Sequence, residues 1–242
     1  MIMLACLVLN LVIAPLVFSA EPETVILLHG YGRTSYSMRP LQGRLEDAGY
    51  RVHNIGYPSI RLSPPELTNL LENELADCCT TTPRIHFVTH SLGGILVRAY
   101  LAENRPLNMG RVVMLAPPNH GSELADIVNG SWLLRTILGP TVVQLGTGPD
   151  SLPNRLPKPW YEVGIIAGLD EINPIGGLFV PDPSDGTVSL ASTILDGMTD
   201  FVTVRKSHTF IMRSADVADY VISFLRTGHF LETTESSAGN PQ

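Results

Sequence analysis

The segment from Ile85 to Tyr100 constrains this chain most, because its periodicity changes at a single serine. Its first part, Ile85-His86-Phe87-Val88-Thr89, is apolar and β-branched, which predicts a buried strand. Apolar positions then recur at helical spacing: Ile95, Leu96, Ala99 and Leu101. Ser91 lies at the bend, where a sharp turn would expose its hydroxyl next to the free N–H groups of a helix start. This arrangement favours a nucleophile beside a site for a developing oxyanion.

The bend itself, Thr89-His90-Ser91-Leu92-Gly93, resembles the nucleophile elbow G-x-S-x-G of α/β-hydrolases. Thr89 replaces the first glycine of that pattern, at a position that the turn crowds and that must therefore be small. Gly93 and Gly94 allow the helix to start close to the strand. The alternative role for Ser91 is that of an ordinary helix N-cap.

Residues elsewhere in the chain match the same family. The strand Thr24–Leu28 leads directly into His29-Gly30-Tyr31-Gly32, which resembles the "HG" oxyanion loop of lipases. Asp185 and His208 follow Ser91 in the order Ser, Asp, His that these hydrolases use. The resemblance, specifically to compact bacterial lipases and esterases, covers residues 24 to about 227.

Strands and helices alternate along the chain, which predicts an α/β fold with a doubly wound, mostly parallel sheet and right-handed crossovers. The resemblance implies the minimal six-stranded α/β-hydrolase form, with strand order 2-1-3-4-5-6. The predicted strands cover 24–28, 51–54, 85–89, 111–115, 162–168 and 201–204, and the main helices cover 38–48, 63–75, 92–103 and 216–225.

A nucleophilic serine needs a base, and that base needs a carboxylate to orient it. His208 is the preferred base because, among the seven histidines, it alone follows the last strand and precedes a helix. His120, in a loop that could reach the cleft, is the alternative. The resemblance gives His29 and His90 a bracing role beside the oxyanion loop and the nucleophile. The remaining histidines lie within strands or past the last helix: His53, His86 and His229.

The preferred acid is Asp185, whose Asp-Gly-Thr-Val setting resembles the family's acid loop about two dozen residues before the histidine. Three rival carboxylates lie in the same part of the chain: Asp182, Asp196 and Asp200. The resemblance also implies that the oxyanion is bound by the backbone N–H groups of Leu92 and Tyr31, with Gly30 and Gly93 in supporting positions.

Residues 121–160 interrupt the alternation with Gly- and Pro-rich segments around an apolar piece, residues 132–138. In α/β-hydrolases, which this chain resembles, an insertion at this point lies above the edge of the sheet that carries the active site. The segment is therefore either a cap or lid, or an ordinary connecting helix packed on the core. The candidates for substrate binding are Trp132 and Leu133 of this segment and His120, which directly precedes it.

Length and composition limit the possibilities further. At 242 residues with 44% apolar residues, the chain fits one α/β domain, residues 21–228, with a substantial core. A net charge of −7, with lysine and arginine scattered, makes nucleic-acid binding an unfavourable hypothesis. The sequence contains no H-E-x-x-H, no C-x-x-C and no G-x-G-x-x-G after the first strand, so we expect neither metal nor cofactor.

The two ends of the chain differ from the domain. Residues 1–20 are an uncharged apolar run, which predicts an export signal or a membrane anchor and hence a periplasmic, secreted or outward-facing protein. The tail, residues 229–242, is expected to be flexible. Cys6 lies in the first segment, and the adjacent Cys78 and Cys79 are not expected to pair or to bind zinc.

These features predict a serine hydrolase that cleaves carboxylic esters through an acyl-enzyme, and the resemblance favours lipid-like acyl chains. The same machinery would serve a thioesterase, an amidase or an acyltransferase. A hypothesis of another class is a catalytically inactive hydrolase fold that acts as a binding module at the cell envelope. Export favours esters, because most coenzyme A thioesters are cytosolic.

Overall fold

The computed structural model describes residues 21–79, 82–172 and 176–232. Its centre is a sheet of six strands: β1 (Thr24–Leu28), β2 (Arg51–Ile55), β3 (Ile85–His90), β4 (Met109–Leu115), β5 (Val163–Gly168) and β6 (Asp200–Val204). Their order is β2-β1-β3-β4-β5-β6, and every neighbouring pair is parallel. The predicted fold class and strand order are confirmed.

Helices cover both faces of the sheet. They are α1 (Arg39–Asp47), α2 (Pro64–Cys78), α3 (Leu92–Glu103), α4 (Glu123–Asn129), α5 (Trp132–Val143), α6 (Leu152–Arg155), α7 (Gly176–Phe179), α8 (Leu190–Thr193) and α9 (Ala215–Thr227), with 3-10 turns at Ser35–Met38 and Ile211–Arg213. Alternate β1 residues enter different cores: Ile26 packs with α2 and α3, and Val25 with α1 and α9. Two buried layers therefore hold the strand ends in place.

Local sequence explains the element boundaries. The helix α2 begins at a capping box formed by the sequence Ser63-Pro64-Pro65-Glu66, in which the Ser63 N–H donates to Glu66 Oε2 at 2.8 Å. The strand β4 begins at Met109, two residues before the predicted start, because Met109 pairs with Ile85. Its first residues are only partly buried, so apolar periodicity did not reveal them.

The pairing of the two adjacent cysteines corrects the sequence analysis. Cys78 and Cys79, which we expected to stay unpaired, form a disulfide with their Cα atoms 3.7 Å apart. Cys78 is the last residue of α2, and Cys79 has left the helical region with φ −128° and ψ 12°. This turn out of the helix brings the two sulfur atoms together.

The expected export segment, residues 1–20, lies outside the described residues, as does the expected flexible tail beyond residue 232. Within the described ranges, no helix combines the length and the apolar character needed to cross a membrane.

Candidate active site

Ser91 occupies a strained turn between β3 and α3. Its backbone has φ 52° and ψ −120°, a region that costs a non-glycine residue about 1–3 kcal/mol. The turn is held by the Ser91 N–H, which donates to the Leu115 carbonyl at 2.9 Å, and by the Gly94 N–H, which donates to the Ser91 carbonyl at 2.9 Å. The Ser91 side chain makes no capping hydrogen bond, so the N-cap alternative does not describe it.

The Ser91 hydroxyl instead contacts a histidine that contacts a carboxylate. Ser91 Oγ lies 3.0 Å from His208 Nε2, and His208 Nδ1 lies 2.7 Å from Asp185 Oδ2. A carboxylate can only accept a hydrogen bond. The proton of the neutral imidazole therefore lies on Nδ1, the nitrogen that faces Asp185. His208 Nε2 is then the acceptor for the serine hydroxyl.

Backbone groups fix the carboxylate in place. Asp185 is 2% exposed, and its Oδ1 accepts hydrogen bonds from the N–H groups of Thr187 (3.0 Å) and Val188 (2.9 Å). The His208 N–H donates to the Asp185 carbonyl at 3.1 Å, which joins the two loops. Oδ2 is thereby left to face the imidazole.

The structure brings together the three preferred residues and separates their rivals from them. Ser91, Asp185 and His208 follow β3, β5 and β6, so the carboxyl edge of the sheet collects them. The carboxylates of Asp182 and Asp196 are exposed, and Asp200 instead accepts the Phe230 N–H. The exposed ring of His120 pairs with Asn154 through Nδ1 at 3.1 Å.

The loop after β1 lies directly against the serine turn. A Cβ on Gly30 would lie 2.7 Å from His90 Nδ1 and 3.2 Å from Ser91 Cβ, closer than the surroundings allow. A Cβ on Gly93 would lie 2.7 Å from the Leu28 carbonyl oxygen. Glycine at both positions is therefore what lets this loop and the start of α3 approach each other.

The two predicted bracing histidines both bind backbone groups. His29 Nδ1 bonds the Gly30 carbonyl at 2.9 Å, while its Nε2 accepts the Tyr57 N–H at 3.3 Å. Tyr57, which the sequence analysis missed, stacks on the His29 ring, and its hydroxyl donates to the His29 carbonyl. His90 Nε2 bonds the His208 carbonyl at 3.0 Å. Burial lowers the pKa of His29. The pKa of His90 is held well below its usual range, mainly by burial and secondly by the electrostatic effect of the nearby His208.

The helix α5 has features of both structures predicted for residues 121–160, a helix packed on the core and an exposed cap. Leu134 and Leu138 pack against the core, whereas Trp132 and Leu133 are 72% and 50% exposed. The Tyr31 hydroxyl donates to the Leu138 carbonyl, which ties the helix to the loop after β1.

A buried arginine is a second feature that the sequence analysis missed. Arg98 of α3 donates to the carbonyl and side-chain oxygens of Asn119, both at 3.1 Å, and to the carbonyls of Pro153 and Leu156. Asn119 in turn donates to the Thr193 carbonyl at 2.8 Å. Burial lowers the pKa of Arg98 to about 10. Its signal in the sequence was a lone charge within the apolar run of that helix.

With a strained serine elbow on a parallel sheet, this chain belongs to the alpha/beta hydrolase family, whose sequence model matches residues 25–233. No curated protein matches the chain at a significant level. The match to the family model confirms the predicted membership and supports a hydrolase.

Solved structures share the fold at low sequence identity. The mature lipase BlEst2 of Bacillus licheniformis is 22% identical with a TM-score of 0.63, over 81% of this chain and 88% of that one. The match covers only 52% of the propeptide form of the same lipase. Phospholipase PlaB from Legionella pneumophila is 19% identical with a TM-score of 0.64, over 87% of this chain and 60% of that one. The metagenomic carboxyl esterase MGS0156 is 20% identical with a TM-score of 0.63, over 80% of this chain and 66% of that one.

Proposed function

We propose that this protein is a serine hydrolase that cleaves carboxylic esters through an acyl-enzyme. The observation that carries the proposal is the hydrogen-bonded chain from Ser91 Oγ through the imidazole of His208 to Asp185. The lipase, phospholipase and esterase titles of the structural neighbours favour esters over other acyl compounds.

In the proposed reaction, Ser91 Oγ attacks the ester carbonyl carbon while its proton passes to His208 Nε2. Asp185 holds the imidazole in the tautomer that can accept this proton and stabilises the imidazolium that results. The backbone N–H groups of Leu92 and Tyr31 bind the oxyanion. His208 then protonates the departing alcohol, and water releases the acid by the same steps in reverse.

A fluorophosphonate probe and p-nitrophenyl esters of graded chain length test this proposal. We expect one probe per chain and measurable turnover, both abolished in Ser91→Ala. Ser223→Ala, which removes a partly buried hydroxyl of α9 that donates to the His229 carbonyl, is the matched control and should behave as wild type. A folded protein that neither reacts with the probe nor hydrolyses any ester would contradict the proposal.

We also propose that lipid-like acyl chains are the substrates and that Trp132 and Leu133 contact them. The large exposed area of these two side chains supports this, since covering it with an acyl chain removes apolar surface from water. Replacing both by serine should lower kcat/KM for long-chain esters by about tenfold and leave short-chain esters little changed. Leu107→Ser, at an exposed leucine before β4, is the matched control. Equal loss on all chain lengths would contradict this role.

We further propose that the protein is exported or membrane-anchored through residues 1–20. The Cys78–Cys79 disulfide supports an oxidising compartment. Cell fractionation together with N-terminal sequencing tests this. Soluble cytosolic protein that retains Met1 would contradict it and would make thioesters candidate substrates.

A further inference from the structure

We propose that His53, Cys78 and Cys79 form a redox-gated copper(I) site. The disulfide closes the site in the oxidised chain, and its reduction allows one Cu(I) ion to bind. The site is separate from Ser91, because α2 leads away from the carboxyl edge of the sheet and ends near the start of β3.

The spacing of the ligand atoms fits a single ion. One ring nitrogen of His53 and the sulfur atoms of Cys78 and Cys79 all lie within 4.8 Å of one another. Two thiolates that bind one metal at about 2.3 Å, the zinc–sulfur distance, are at most about 4.6 Å apart. Once the S–S bond is broken, the sulfurs need to separate only within this range.

The imidazole of His53 distinguishes this pair of cysteines from an ordinary disulfide. His53 Nε2 is shielded from solvent and has no hydrogen-bond partner among the described residues. Buried polar atoms are normally bonded, so an unpaired nitrogen on a ring that lies this close to two sulfurs is free to take a metal ion as its partner. The third ligand comes from β2, 25 residues before Cys78.

The donor set favours Cu(I) over zinc. Two thiolates are soft ligands, which suit Cu(I) as well as zinc, and an imidazole completes the three-coordinate site that Cu(I) accepts. Zinc takes four ligands, and within the part of the chain that the structure describes this group offers three such residues, so zinc would need a water molecule as well.

The redox step is a thiol–disulfide exchange with a dithiol reductant. The reductant supplies two electrons and two protons and becomes a disulfide itself, which leaves Cys78 and Cys79 as thiols. Binding of Cu(I) then displaces the two thiol protons, and the copper keeps its oxidation state.

Anaerobic competition between the full chain and a chromophoric Cu(I) chelator tests the proposal. After reduction with dithiothreitol and its removal, we expect one Cu(I) per chain, and none in the oxidised protein. His53→Gln should weaken binding by at least about tenfold, since even outer-shell partners of metal ligands contribute 10–100-fold. His229→Gln, at an exposed histidine, is the matched control.

The double variant Cys78→Ser, Cys79→Ser retains Cys6 and so measures copper held by that thiol, and we expect no tight binding. Circular dichroism verifies the fold of each variant, and ester hydrolysis plays no part in the readout. Equal copper binding by the oxidised and reduced chains, by His53→Gln and wild type, or by the double variant would overturn the proposal.

Discussion

At the scale of single residues, the charge and hydrogen bonds of Asp185 decide whether His208 can act as a base. In Asp185→Asn the amide oxygen can keep the bonds to the Thr187 and Val188 N–H groups, which turns the NH₂ group toward His208. His208 Nδ1 must then accept, so Nε2 carries the proton and cannot take one from Ser91. We expect kcat to fall by about 10⁴-fold, the size of the equivalent change in serine proteases, with KM little changed.

Steady-state kinetics on one ester measures this effect, with Asp196→Asn as the control. Asp196 was a rival acid, but its carboxylate pairs with Lys158 on the surface, where both side chains are exposed. Its replacement should leave kcat within about twofold, since surface ion pairs contribute little. Similar losses in both variants would remove Asp185 from the role proposed here.

At the scale of elements, the kink in α5 lets that helix pack against the loops that follow β1 and β2. Gly139 has φ 76° and ψ 180°, a conformation essentially restricted to glycine, and a Cβ there would lie 1.9 Å from the Ile60 carbonyl oxygen. Gly139→Ala should therefore lower the free energy of unfolding by about 1–3 kcal/mol or more. We also expect reduced kcat/KM, because the adjacent Leu138 carbonyl holds Tyr31.

Denaturant unfolding and ester kinetics measure these effects, with Gly43→Ala as the matched control. Gly43 lies within α1, and a Cβ there meets nothing within 4 Å. Alanine should stabilise that helix by about 0.5–1 kcal/mol and leave activity unchanged. A Gly139→Ala protein as stable and as active as Gly43→Ala would show that the kink does not hold α5.

At the scale of the whole molecule, buried histidines link folding to pH. Burial lowers the pKa of His29, His86 and His90 below the value of 6.5 that an unfolded chain shows. Below pH 6.5 the unfolded state therefore binds more protons than the folded state. The free energy of unfolding should fall as the pH decreases through 6.5, and it should level off above that value.

Urea unfolding midpoints at pH 7.5 and pH 5.0 measure this dependence. His86→Gln should reduce the difference between the two midpoints, because it removes one buried group that gains a proton on unfolding. Leu107→Ser, at an exposed leucine, changes no titratable group and should leave the difference unchanged. Midpoints that are equal or that rise toward pH 5.0 would contradict the linkage.

The sequence alone determined the order of strands and helices and the residues at their ends. Apolar runs, the capping box at Ser63 and the change of period at Ser91 are local signals, because each depends on neighbours within a few positions. Since parallel strands end at one edge, the same signals placed Ser91 and His208 there, whereas the choice of Asp185 rested on the resemblance of its loop to the acid loop of α/β-hydrolases.

Only the tertiary structure decided contacts between residues far apart in the chain. Sequence spacing does not reveal that Tyr57 stacks on His29, that Arg98 binds Asn119, or that His53 faces the cysteine pair. Sequence spacing also predicted that Cys78 and Cys79 stay unpaired. Adjacent cysteines pair only where the backbone turns, and here it turns because α2 ends at Cys78. Such contacts depend on packing between elements, and a periodic pattern carries no information about it.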